Sequence, residues 1–162
     1  MLLTMHAATG ALAGELSPNG WVAFALGFLS HFFLDMFPHG DRHLANETKA
    51  TGEGKRYYRL LVVDSIASIA IFFPAFALGK FEQPLYAYIG LLAGLLPDLI
   101  VAIPEYALYI KKEYRVRLHW FYKFHVYVHD RLIRVLDHMP LKIGIAFQVL
   151  LLVAMWWYWP SS

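Results

Sequence analysis

The sequence predicts an all-α fold, an integral membrane helical bundle, and three observations carry that expectation. The chain of 162 residues is 59% hydrophobic and 17% aromatic with only 16% charged, and its mean hydropathy of +0.46 exceeds that of ordinary soluble domains. Four apolar stretches, 21–37, 60–79, 85–103 and 143–159, reach or approach the length a helix needs to cross a hydrocarbon core of about 30 Å. The cations are segregated: of 14 Lys and Arg, five fall in 38–59 and eight in 104–142. The positive-inside bias therefore places both loops in the cytoplasm. A multi-pass membrane protein is expected, as one domain over 1–162.

Taken in order, the elements have separate justifications. Residues 2–15 carry Ala7, Gly10, Ala11 and Gly14 at helical spacing, a small-residue face that lets backbones approach closely. The segment lacks the basic start of a signal peptide and is read as a retained, membrane-embedded helix. Ser17-Pro18-Asn19-Gly20 is a turn signal, so 2–15 and 21–37 should form an antiparallel pair. The helices 60–79 and 85–103 pair across a short connection. In 113–137, Leu118, Phe121, Tyr122, His125, His129, Leu132 and Leu136 form one helical stripe, which reads as an amphipathic helix lying on the cytoplasmic surface. The last helix, 143–159, ends in Trp156, Trp157, Tyr158 and Trp159, an aromatic anchor of the kind found at headgroup level.

Within this apolar frame the titratable residues stand out, because ionisable groups inside a membrane are costly and mark function. With the first turn near residue 18, His6 and His31 lie at similar depth and should face each other. The second turn, near residue 82, likewise brings Asp64 and Asp98 level. His31 and Asp35 share one helix face at i and i+4. The surface helix aims His125 and His129 at the bundle, whereas His119 and His138 fall off its stripe and are assigned to the surface.

His6, His31, Asp35, Asp64, Asp98, His125 and His129 are therefore the expected metal ligands. Seven donors suit two adjacent ions. The chain has no cysteine, so imidazole and carboxylate must hold them, which favours zinc, with manganese or iron as alternatives. His39 and Asp41, just past Pro38, are candidate general acids or an eighth ligand. Arg42, Lys123, Arg131 and Arg134 are candidate phosphate-binding cations. A divalent ion lowers the pKa of bound water and polarises a phosphoryl oxygen. The expected activity is thus metal-dependent hydrolysis of a phosphate ester, with a lipid as substrate because the site lies at headgroup depth. A metal-binding or scaffolding membrane protein without turnover is the alternative. A proton or cation relay ranks last, because 66–79 and 85–94 carry no charged side chain. The partners expected are membrane lipids; a formal charge of +2 is too weak to suggest nucleic acid.

The segments MHAATGALAG at the N-terminus, SHFFLDMFPHGD at 30–41, LLPD at 95–98 and the late histidine-rich helix resemble the YdjM-type inner-membrane proteins, a family of metal-dependent hydrolases. The resemblance spans most of the chain and implies a place in a prokaryotic inner (cytoplasmic) membrane. It carries the family pattern onto His6, His31, Asp35, Pro38, His39 and Asp98, and more loosely onto His125 and His129. The His-xxx-Asp arrangement is also distantly similar to the sites of zinc-dependent phospholipase C and P1-type nucleases, which cleave phosphate esters.

Overall fold

The computed structural model describes residues 1–37, 39, 55–105, 118–133, 140–157 and 159. Asp41, Arg42, Arg134 and His138 lie outside them, as does the side chain of Arg131. The described residues form six helices and no strand: α1 (Leu3–Glu15), α2 (Gly20–Leu34), α3 (Lys55–Ala77), α4 (Pro84–Glu105), α5 (His119–Ile133) and α6 (Leu141–Trp157).

The all-helical fold matches the expectation, but the expected count of four long transmembrane helices does not. Among the described residues only two segments are long and apolar enough to cross a membrane, Arg59–Ala77 with 19 residues and Pro84–Pro104 with 21. The 15 residues of α2 rise only about 22 Å at the helical repeat, short of a core of about 30 Å. Its end is set locally. At Asp35 the backbone tightens into three-residue turns, with Met36 N donating to Phe33 O at 3.2 Å and Phe37 N to Leu34 O at 2.9 Å, and Pro38 cannot extend the ladder. The 17 residues of α6 also fall short, at about 26 Å. Helix α5 is described from His119 only, so the first turns of the expected 113–137 helix lie outside the described residues.

The core is built where α1, α2 and α4 meet backbone to backbone. Ala7, Ala8 and Ala11 of α1 are wholly buried, and glycines repeat at i and i+4 on both α1 (Gly10, Gly14) and α4 (Gly90, Gly94). A Cβ at Gly10 would strike the carbonyl oxygen of Gly90, one at Gly27 of α2 would strike the same atom, and one at Gly90 would strike the carbonyl of Gly10. Only glycine permits this crossing, the close approach that small-residue faces provide.

Polar side chains, exposed at Asn19 and buried at Glu15 and Gln148, hold the helix ends and satisfy amides that a helix terminus leaves open. Asn19 Oδ1 accepts from Val22 N at 3.0 Å and caps α2. Glu15, at the end of α1, accepts from Glu82 N and from Gln83 N at 3.2 Å, just before α4 begins. Gln148 of α6 accepts from Leu2 N at 2.8 Å and donates to Gly144 O at 3.1 Å. Away from these contacts, large apolar side chains face outward: Trp21 of α2, Ile69 and Phe73 of α3, and Leu150 and Trp157 of α6 are all exposed.

Candidate metal centre

The glycine crossing brings the two halves of the site together. Because α1 and α2 both lie against α4, His6 and His31 stack at a centroid distance of 3.9 Å with 23° between ring planes, in keeping with the equal-depth argument. His6 is wholly buried, and both its ring nitrogens lack a hydrogen-bond partner. Asp35, one turn beyond His31, is also buried, and its Oδ1 lies 3.4 Å from His6 Nε2 and 3.6 Å from the N-terminal amine, contacts longer than an ordinary hydrogen bond. Buried polar atoms are rarely left so, since each costs free energy. Buried donors that meet only through such long contacts keep lone pairs that a cation can take.

The donors converge with the spacing such a partner requires. His31 Nε2 lies 3.0 Å from His125 Nε2, 3.2 Å from Asp35 Oδ2 and 3.6 Å from Asp98 Oδ1. His125 Nε2 is 3.7 Å from each of those two oxygens. Four donors around a tetrahedral ion at about 2.0–2.1 Å stand about 3.3–3.4 Å from one another. Five of the six edges of that tetrahedron are thus close to the required length without any rearrangement of the helices.

Two carbonyls set the tautomers. His31 Nδ1 donates to Gly94 O at 2.9 Å, so in the neutral ring Nε2 carries the lone pair and faces the cluster, the usual device for orienting a metal-binding imidazole. The Gly94 carbonyl can reach His31 because Gly94 has no side chain; a Cβ there would come within 2.6 Å of His6 O. His39 repeats the arrangement: Nδ1 donates to Phe37 O at 2.6 Å, and Nε2 faces His129 Nε2 at 3.2 Å. On α5, burial pushes the His125 imidazole down to about 4, against the opposing pull of the Asp98 and Asp35 carboxylates. A neutral ring with a free lone pair is the ligand form.

Three overlapping groups could each hold an ion: His6, His31 and Asp98; His31, Asp35 and His125; and Asp35, His39 and His129. Six of the seven expected ligands are therefore brought together, and His39 joins them. Asp64 does not. Its carboxylate accepts from Leu3 N at 2.5 Å, Thr4 N at 3.3 Å and Thr4 Oγ1 at 2.5 Å, capping the first turn of α1 from α3. The expectation that Asp64 and Asp98 lie level therefore does not make Asp64 face the cluster. Lys123 is exposed and lies two residues, about 200° of helix, from His125, so it turns away from the cluster. His119, expected on the surface, is half-buried and stacks on Tyr122 at 5.8 Å.

The two carbonyls, Gly94 O and Phe37 O, are not among the groups expected from the sequence. For Gly94 a signal existed in GLLAGLLPD, where the second glycine sits one turn before Asp98. Comparison of the chain with protein-family models, with curated proteins and with solved structures finds no match. The likeness to the YdjM-type proteins accordingly stands on its motifs alone.

Proposed function

We propose that this chain is a membrane-embedded, metal-dependent hydrolase that cleaves a phosphate ester of a lipid-like substrate. The observation that carries the reading is the surplus of donors. Four suffice for a tetrahedral ion, yet seven residues, His6, His31, Asp35, His39, Asp98, His125 and His129, belong to the cluster, and its edge is open, with the Asp98 side chain 29% exposed. A divalent ion bound there supplies Lewis acidity toward a phosphoryl oxygen and a water of lowered pKa. The chain's own contribution is to hold the donors in place. Gly94 O fixes His31, Phe37 O fixes His39, and the apolar walls of Phe28, Phe32 and Phe121 limit access of bulk water on one side.

Membrane embedding is supported by the two long apolar helices and by the outward-facing Trp, Phe, Ile and Leu side chains, which in water would form an unfavourable apolar surface. The basic loops at 38–59 and 104–142 favour a cytoplasmic site in an inner membrane. Zinc is the ion that best suits the imidazole and carboxylate set, with manganese and iron next. A site at headgroup depth receives a lipid phosphate without extracting the lipid.

A second reading draws on one specific observation. The set His31, His125, Asp35 and Asp98 can close a tetrahedron by itself, and closed sites are structural. That would make the protein a metal-binding or scaffolding component without turnover. Incubating zinc- or manganese-loaded protein with a panel of phospholipids and lipid phosphates separates the two. Release of phosphate or headgroup that is lost in Asp98→Asn supports the hydrolase; a fully loaded protein that cleaves nothing in the panel supports the scaffold.

A further inference from the structure

One apolar surface of the bundle runs directly into the metal centre. Phe24, Phe28 and Phe32 follow one another at i, i+4 and i+8 along α2, a strip about 12 Å long on one side of the helix. Their rings touch in order, Phe24 to Phe28 at 6.3 Å and Phe28 to Phe32 at 5.4 Å between centroids. Phe32 is the junction. Its ring stands 5.3 Å from that of His31 and 5.8 Å from that of His125, and 5.9 Å from that of Phe124 on α5. Beneath the strip, Val101 of α4 and Phe121 and Tyr122 of α5 are buried, and Phe28 and Phe32 pack against them. The strip is thus anchored on its protein side and open on the other, since Phe24 and Phe124 are exposed and Phe28 and Phe32 are half-buried. The exposed face of α3 differs, being mainly aliphatic with Val62, Val63, Ile66 and Ile69.

We propose that this aromatic strip seats the hydrocarbon chain of a lipid phosphate whose headgroup lies at the metal centre, and that Phe32, which touches both, is a specificity-determining residue. The proposal rests on the lipid-phosphate reading of the site and extends it to the part of the substrate that does not react. Ligand sites are lined by apolar and aromatic side chains that end on a few polar groups fixing orientation. Here four Phe rings end on the imidazoles of His31 and His125, beside the Asp35 and Asp98 carboxylates. An amphiphile with an anionic head has the matching layout. A chain already in an apolar phase gains no exclusion of water by moving onto the strip, because lipid tails are as apolar as the side chains. What it gains is contact with flat rings held in place by their neighbours. The strip therefore orients the lipid more than it binds it. A neutral lipid with the same chain has no group for the metal centre and should show no preference for α2 over α3.

The test is photolabelling of zinc-loaded protein in dodecyl maltoside micelles with two probes that carry the same diazirine-bearing acyl chain, one a phosphatidic acid and the other a diacylglycerol. Labelled peptides are mapped by mass spectrometry, and circular dichroism checks folding. The phosphatidic acid should label α2 and α5 in preference to α3, and unlabelled phosphatidic acid should compete that labelling away. The diacylglycerol should label α2 and α3 alike. Phe24→Ala and Phe32→Ala should each lower the competable labelling about five-fold, equivalent to about 1 kcal/mol. Phe24 is exposed and lies two turns from His31, so Phe24→Ala remains informative should Phe32→Ala disturb the centre. Equal labelling of α2 by both probes, or labelling that excess phosphatidic acid does not remove, overturns the proposal and makes the strip ordinary lipid-facing surface. Undiminished labelling in folded Phe24→Ala and Phe32→Ala overturns it too. Competable labelling without cleavage of any lipid phosphate would leave the chain seat standing and defeat the hydrolase reading alone, whereas cleavage without preferential labelling would defeat the seat alone.

Discussion

Replacing Asp64 separates a cap from a ligand more sharply than any other change. The carboxylate accepts three hydrogen bonds from the first turn of α1 and is itself buried. In Asp64→Ala those donors lose a charged acceptor, worth about 1.5–3 kcal/mol for such a bond, together with a favourable interaction with the helix N-terminus of about 0.3–1 kcal/mol. We expect a loss of about 3 kcal/mol, below the simple sum because water reaches the frayed turn. In Asp64→Asn an amide oxygen still caps, since Asn and Asp are near-equal as helix caps, and the loss should fall to about 1 kcal/mol. The assay pairs denaturation followed by circular dichroism in mild detergent with metal content by elemental mass spectrometry. Asp64→Asn should keep its metal, whereas Asp35→Asn should lose at least nine-tenths of it. Equal metal loss in folded Asp64→Asn and Asp35→Asn would refute the capping argument and return Asp64 to the ligand set.

Further expectations follow from the same geometry. Gly90→Ala forces a Cβ against the Gly10 carbonyl; it should cost about 1–3 kcal/mol, as overpacking does, and weaken metal binding because the α1–α4 crossing sets His6 against the cluster. Gln148→Leu leaves the Leu2 amide without its acceptor, at about 1–3 kcal/mol for an unsatisfied donor, with metal content unchanged, measurable by denaturation and elemental analysis. Stripping the metal with a chelator should lower the melting temperature. Restoring zinc to 100 times its dissociation constant should return about 2.7 kcal/mol, and a melting curve indifferent to metal would contradict a buried centre.

Much of this architecture can be read in the sequence, for reasons that mark where such reading stops. Helical spacing and the turn at 17–20 placed His6 and His31 at one depth, because rise per residue is nearly constant. The heptad-like stripe on α5 put His125 and His129 on one face, because side-chain direction follows the helical period. Facing between helices is different. The turn near residue 82 suggests a common depth for Asp64 and Asp98, but which neighbour a side chain meets depends on helix rotation, and hydropathy does not fix that. The length of α2 was overestimated because its apolar run continues through Met36 and Phe37 after the backbone has left the helix at Asp35. The Gly94 and Phe37 carbonyls were invisible, since backbone acceptors carry no residue-specific signature.

The most direct test of the central claim, that the buried His and Asp cluster is a metal centre, is X-ray absorption at the metal edge of detergent-purified protein loaded with zinc. The account predicts a shell of nitrogen and oxygen at about 2.0–2.1 Å, with outer-shell scattering from at least two imidazoles that weakens in His31→Ala. Folded protein that retains no zinc, or zinc that shows only solvent oxygens and no imidazole scattering, would contradict it.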